Sequence, residues 1–147
     1  MKIYDCMNIL LTRAQQVVSQ KYKEALADYE LNPMHYATLK CLWEFGNLTP
    51  GQLSEAAFID RPSMTSVLDK LERSGYIERV PDHYDRRSIR IYLTPNGEGI
   101  KEQVLAATAE IQSDIIADIR EMNPDITDVE IKEFYRLLRL IANIPDA

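Results

Sequence analysis

The 147-residue chain is poor in cysteine, histidine, glycine and tryptophan. Its two cysteines, Cys6 and Cys41, cannot build the disulfide framework of a small secreted domain, so a reducing cytoplasm is the expected setting. Its two histidines, His35 and His83, belong to no Cys/His cluster at ligand spacing, which gives no basis for a metal site. Five scattered glycines form no phosphate-cradling loop, there is no G-x-S-x-G elbow, and no motif sets a nucleophile beside a base. Neither an enzyme nor a cofactor is expected. No apolar run reaches the roughly 18 residues needed to cross a bilayer, so no membrane partner is expected. The start, Met1-Lys2-Ile3-Tyr4-Asp5, meets an acidic residue early and lacks a small-residue cleavage pattern, which argues against a signal peptide. Low-complexity stretches, repeats and Gly/Ser linkers are absent as well.

What is there suits one ordinary domain over 1–147, with 46% apolar and 27% charged residues. The net charge of −6 argues against a nonspecific nucleic-acid coat. The average hides a split. Residues 61–90 hold seven basic and five acidic side chains, leaving ten basic against eighteen acidic elsewhere. A mildly basic middle in an acidic frame suits a local surface for a polyanion.

Regular punctuation divides the chain. Ile3, Met7, Leu10, Leu11, Ala14, Val17, Val18, Ala25 and Leu26 have helical spacing over residues 3–28. Asn32-Pro33 caps a second helix and Gly46-Asn47 ends it. Thr49-Pro50-Gly51-Gln52 is a capping box for a short third helix. Asp60-Arg61-Pro62 opens a fourth, closed by Gly75. The period then changes. Residues 76–80 and 89–93 read as strands, with Ile89, Ile91 and Leu93 alternating with Arg90 and Tyr92, and turn-type residues 81–88 join them. Thr94-Pro95 caps a long fifth helix that Asn123-Pro124 breaks. Thr127-Asp128-Val129-Glu130 is a capping box for the last.

This order predicts a mainly α fold with a small β-hairpin wing: a winged helix-turn-helix over about 33–97, flanked by helices over about 1–30 and 95–147. The flanking helices are strongly amphipathic and separated in sequence by the central module. They bury their apolar stripes only against each other or another chain, and a helical dimer interface is the economical solution.

Four motifs then occur in order. They are Leu48-Thr49-Pro50-Gly51-Gln52-Leu53-Ser54, the run Arg61 to Arg79, Asp85-Arg86-Arg87-Ser88, and Leu93-Thr94-Pro95-Asn96-Gly97. Together they closely resemble the MarR family of bacterial transcription regulators. The motifs cover residues 48–97, and the element order fits nearly the whole chain. The resemblance implies a homodimer with a winged helix-turn-helix in each subunit, bound to a pseudo-palindromic operator in double-stranded DNA. Two recognition helices would enter major grooves about one helical turn, roughly 34 Å, apart. Repression is the commonest outcome in such families, though activation leaves the same signature.

The residues make physical sense of that role. On the helix over 61–74, Met64, Val67, Leu68 and Leu71 form the buried stripe. Pro62, Ser63, Thr65, Ser66, Asp69, Lys70 and Arg73 then face outward. Small and hydroxyl residues let the helix start approach a groove floor, and Arg61 reaches a guanine edge or a phosphate. Lys70, Arg73 and Arg79 are phosphate candidates that also have Asp69, Glu72 or Glu78 to pair with. At the wing over 81–88, Arg86 and Arg87 suit a narrow minor groove. Arg87 is assigned to the groove and Arg86 to phosphate, and Asp85 orients Arg87 by a charge-assisted hydrogen bond.

The same resemblance implies a response to a small aromatic molecule or to oxidants. The second helix is apolar on two sides, with Leu39, Leu42 and Trp43 on one and Met34, Ala37, Cys41 and Phe45 on the other, and so is expected to be packed on both. Arg13, His35, Tyr36 and Trp43 are candidates for a pocket taking a phenolic or carboxylate effector. The competing reading makes Tyr36 and Trp43 plain core and His35 a satisfied core histidine. Cys6, expected in the first helix, raises a thiol-based redox alternative, although its neighbours do not match the peroxide-sensing pattern. Cys41 is expected to be buried and inert. A reading from another class is a winged-helix protein-interaction module without DNA binding, which the acidic overall charge would suit. Steep salt dependence of duplex binding separates the two.

Overall fold

The computed structural model describes residues 2–145, in two compact units that divide between Ala109 and Glu110. The first unit opens with a helical turn at Ile3–Asp5, followed by α1 (Met7–Leu26) and a second tight turn at Ala27–Tyr29. Cys6 stands between turn and helix in an extended conformation (φ −76°, ψ 115°). The continuous helix expected from residue 3 is therefore interrupted, and Cys6 is the N-cap of α1 rather than a residue inside a helix.

The next three helices start where their caps direct. For α2 (Pro33–Phe45), the His35 N–H donates to Asn32 Oδ1 (2.9 Å) and the Asn32 N–H donates to His35 Nδ1 (3.0 Å). This is a capping box with histidine where Glu or Gln usually stands. For α3 (Pro50–Ala57), Thr49 and Gln52 exchange the same pair of bonds. For α4 (Arg61–Arg73), Asp60 accepts from the Ser63 N–H (2.8 Å). Gly75, at φ +78°, terminates it. The Tyr76 N–H returns to the Leu71 carbonyl and the Gly75 N–H to the Glu72 carbonyl, both at 3.0 Å, which satisfies carbonyls the helix end would leave bare.

The apolar stripe of α4 is the floor of the core. Met64, Val67, Leu68 and Leu71 are all buried, together with Leu39 and Leu42 of α2, Leu53 of α3 and Leu26 of α1. Each such side chain contributes about 1.5–3 kcal/mol of transfer free energy. The opposite side of α2 is only partly covered: Cys41 is buried, but Met34 and Phe45 are exposed, so packing on both sides is incomplete. Strands β1 (Ile77–Pro81) and β2 (Ile89–Leu93) pair antiparallel, with Ile77 opposite Leu93 and Pro81 opposite Ile89. The Ile91 N–H donates to the Leu48 carbonyl (2.8 Å), fastening the hairpin to the α2–α3 connection.

The long fifth helix of the sequence reading is instead three pieces. They are α5 (Pro95–Gly99), α6 (Lys101–Ala109) and α7 (Ile111–Met122), with Ile100 and Glu110 as the joints. Gly97 and Gly99 weaken the first piece. Before the second joint, the Thr108 hydroxyl donates back to the Val104 carbonyl (2.9 Å), a bond that competes with the helical ladder. In the second unit, Thr127 and Glu130 cap α8 (Asp128–Ile141) reciprocally. Ile115, Ile119, Ile131 and Phe134 line an apolar hollow of about 260 Å³ between α7 and α8. No residue of α8 is buried, and Phe134, Leu137, Leu140 and Ile141 stay exposed.

One junction ties the first unit together. Thr94 caps α5 by accepting from the Gly97 N–H (3.1 Å), donates its hydroxyl to the Gly75 carbonyl, and sends its N–H to the Tyr76 carbonyl (3.0 Å). The Trp43 indole N–H donates to the Gly97 carbonyl (3.1 Å). A Cβ at Gly97 would lie 2.1 Å from the Tyr76 carbonyl oxygen and 3.1 Å from Leu93 Cδ2. Gly97→Ala is therefore expected to cost about 3 kcal/mol, lowering the thermal midpoint by roughly 6–12 °C in a calorimetric scan.

Candidate nucleic-acid interface

The outer face of α4 is polar and largely free. Arg61, Pro62, Thr65, Ser66 and Arg73 are exposed along it. The Thr65 hydroxyl donates to the Arg61 carbonyl (3.1 Å), which fixes its rotamer. Ser63 and Lys70, expected to face outward, are only half-exposed. The Ser63 hydroxyl donates to Asp60 Oδ2 (2.8 Å), so its one proton is committed to the cap. Asp60 is held below the usual carboxylate range by the Ser63 N–H and then by that hydroxyl. Lys70 lies near enough to His35 for its charge to act there. Arg79 is occupied: Nη2 donates to Asp69 (2.7 Å) and Nη1 to Glu72 (2.8 Å). It clamps β1 to α4 instead of standing as a free cation.

Residues 82–88 form the wing tip. The Asp85 carboxylate accepts from the Arg87 N–H (3.1 Å) and from Arg87 Nε (3.4 Å). The D-x-R spacing thus brings the two side chains into contact. The rest of the guanidinium faces solvent, since the Arg87 side chain is 95% exposed. Arg86 is exposed beside it. Three further residues organise this tip and escaped the sequence reading. Asp82 accepts from the Tyr84 N–H (2.8 Å), the Asp85 N–H (3.4 Å) and Arg90 Nε (3.0 Å). Its carboxyl is held below the usual range, foremost by the Tyr84 N–H. Arg90 reaches on to Asn47. The available signal was an aspartate two residues ahead of the bond it accepts, the pattern of an Asx turn. Tyr84 stands 96% exposed, edge-on to His83.

The four effector candidates are not brought into one cavity by contacts among the described residues. Tyr36 packs against the core, its ring 5.5 Å from that of Tyr22, and Thr108 Oγ1 lies 3.4 Å from its hydroxyl. Trp43, half-buried, lines a shallow groove of about 240 Å³ with Lys40, Glu44, Lys101 and Leu105. His35 is buried and its Nδ1 is spent on the capping box. Arg13 is exposed on α1. Cys6 is half-exposed, while Cys41 is buried and its thiol is pushed up by burial and then by Glu44.

A sequence model of the MarR family matches residues 31–89. An uncharacterised HTH-type transcriptional regulator of Bacillus subtilis, YsmB, is 33% identical over 122 residues, covering 83% of this chain and 79% of that protein. Bordetella bronchiseptica BpsR, solved in work on regulation of its DNA binding by 6-hydroxynicotinic acid, superposes with a TM-score of 0.84 at 20% identity, covering 99% of both chains. A mutant MarR from E. coli complexed with operator DNA superposes with a TM-score of 0.78 at 22% identity, covering 92% of each. At those identities the two structures establish a shared fold.

The buried histidine has a measurable consequence. Burial, and then the Lys70 charge, lower the His35 pKa below its ordinary value of 6.5. The folded protein therefore prefers the neutral ring, and stability falls as pH drops through the unfolded value near 6.5, until the folded value is passed. His35→Gln keeps an acceptor for the Asn32 N–H but cannot titrate. Urea unfolding at pH 7.5 and 5.5 is expected to show a loss of stability on acidification in the parent that shrinks in His35→Gln.

Proposed function

The chain belongs to the MarR family of DNA-binding transcriptional regulators, and from that premise we propose that it works as a homodimeric repressor whose operator affinity is lowered by a small aromatic acid or phenol. The observation that carries the reading is the pairing of a free, hydroxyl-rich α4 surface with a wing that holds two exposed arginines. Arg61, Pro62, Thr65 and Ser66 would meet base edges and phosphates in the major groove, Ser63 would support them through its cap, and Lys70 and Arg73 would follow the backbone. Arg87, oriented by Asp85, would enter the minor groove, where crowded phosphates deepen the negative potential, and Arg86 would take a phosphate. The complex of E. coli MarR with operator DNA supports this arrangement by likeness of fold. The setting would be the cytoplasm, with the chromosome.

A dimer is supported by the apolar side chains left in solvent. Ile3, Tyr4, Met7, Leu10 and Leu11 precede or belong to α1, and Phe134, Leu137, Leu140 and Ile141 belong to α8. Exposed rows of this size are rare in monomers and read as an interface. The family is one of regulators rather than enzymes, and a twofold pair of modules suits an inverted repeat. The effector is supported by BpsR, whose DNA binding is described as regulated by 6-hydroxynicotinic acid, and by the half-buried Trp43 and Tyr36 on α2.

Two experiments test the reading. Genome-fragment selection with the purified protein is expected to recover a short inverted repeat, and Arg87→Ala is expected to weaken binding to that duplex by roughly 1–3 kcal/mol without altering folding or dimerisation. Wild-type affinity removes Arg87 from the interface, and an absence of steep salt dependence favours a docking module instead. Titration with aromatic acids is expected to give a saturable change in Trp43 emission. A flat response up to millimolar concentration argues against an effector near α2.

A further inference from the structure

The two wing arginines are weakly held. Arg87 meets Asp85 through one long side-chain contact of 3.4 Å between groups 95% and 53% exposed, a geometry that contributes little by itself. A free loop would waste operator-binding energy on ordering these side chains. The hydrogen bonds that set the loop lie further back. Arg90 on β2 donates through Nε to Asp82 Oδ2 (3.0 Å) and through Nη1 to both Asn47 Oδ1 (3.0 Å) and the Asn47 carbonyl (3.2 Å). The pair is far less exposed than the tip, at 30% for the Arg90 side chain and 14% for that of Asp82. The second Asp82 oxygen collects the Tyr84 and Asp85 N–H groups. Asn47 follows Gly46 at the end of α2, next to Leu48, whose carbonyl takes the Ile91 N–H.

We propose that Arg90 and Asp82 are the positioning residues of the wing, a brace that ties the tip to the α2–α3 connection and so fixes Arg86 and Arg87 relative to α4. This rests on the reading above that the wing engages DNA. The chain of constraint runs from Asn47 to Arg90, to the Asp82 carboxylate, to the backbone N–H groups of Tyr84 and Asp85, and through the Asp85 carboxylate, which accepts the Arg87 N–H (3.1 Å), to the Arg87 backbone. Neither Arg90 nor Asp82 needs to touch a nucleotide. The brace also needs arginine. A guanidinium offers Nε and Nη1 in a rigid fork that serves two acceptors at once, whereas a lysine ammonium is a point charge on a flexible stem.

The test uses the full chain and the duplex recovered by selection. Arg90→Gln is expected to weaken binding roughly tenfold. Arg90→Lys is expected to weaken it nearly as much, because charge without the fork does not rebuild the brace. Asn47→Ala, which leaves the Arg90–Asp82 pair and the backbone carbonyl in place, is expected to have a smaller effect of roughly twofold to threefold. The deciding readout is coupling. Where Arg86→Ala and Arg87→Ala have already removed the wing contact, Arg90→Gln is expected to cost nothing further. An undiminished Arg90→Gln effect in that background, or full rescue by Arg90→Lys, means that Arg90 itself contacts phosphate and overturns the proposal. So does parental affinity of Arg90→Gln. If Arg90→Gln lowers the thermal midpoint, the same cycle run with Asn47→Ala decides. If the Arg86→Ala, Arg87→Ala chain binds like the parent, the wing reading itself falls, a result distinct from failure of the brace.

Discussion

The contact on which most of the first unit depends is the approach of Gly97 to the carbonyl of Tyr76. It is a close backbone contact that no side chain can enter. Around it converge the end of α4, the end of β2, the start of α5 and, through the Trp43 indole, the last turn of α2. Each partner satisfies a group that a helix end or a turn would otherwise leave without a bond: the Gly75 carbonyl, the Gly97 N–H and the Tyr76 carbonyl. The Leu93-Thr94-Pro95-Asn96-Gly97 motif therefore has a mechanical meaning. Threonine supplies one donor and one acceptor, proline occupies a position where its missing N–H costs nothing, and glycine permits the approach.

The module carries its few excess cations on a chain whose remainder is strongly acidic, so a polyanion is repelled from most of the surface and the attractive region is small. Several basic residues in that region are already spent. Arg79 holds two carboxylates, Arg90 holds Asp82 and Asn47, and Lys70 lies partly inward. Arg61, Arg73 and Arg86 are exposed, as is Arg87 apart from its long contact with Asp85. Four such side chains are few enough that geometry must contribute much of any selectivity.

Much of this was legible in the sequence because it is local. Asn32, Thr49, Asp60, Thr94 and Thr127 all cap as their motifs indicate, and the α4 stripe is buried as its spacing requires. D-x-R forms the contact its spacing permits. What escaped depends on tertiary partners or on weak local competition. The break at Cys6 interrupts a good apolar period. The joints at Ile100 (φ −86°, ψ −8°) and Glu110 (φ −91°, ψ −8°) move the backbone into the bridge region, and only glycines and a back-bonding Thr108 hint at them. Ser63 and Lys70 have the right residue types for an outer face but are drawn in by Asp60 and by the packing of α4 near His35. The Arg90 brace spans 43 residues to Asn47, beyond the reach of any periodicity.

The junction at Gly97 also bears on how an effector would act. Trp43 is half-buried, lines an open groove on one side and donates its indole N–H into that junction on the other. A ligand that moved the indole would act directly on the turn holding the end of α4, with no long chain of intermediates. Tight binding in the groove would not suffice, because a ligand shifts an equilibrium only by its difference in affinity for the two states. It would have to favour an arrangement in which the bond from Trp43 to Gly97 is altered. The groove sets Lys40, Lys101 and the opposing charge of Glu44 beside the indole and Leu105, and the ligand chemistry that suits both kinds of wall is a flat apolar ring carrying a polar or charged group. Such a molecule gains from ring contact only where the indole face is uncovered, so its preference and its effect on α4 would have the same origin.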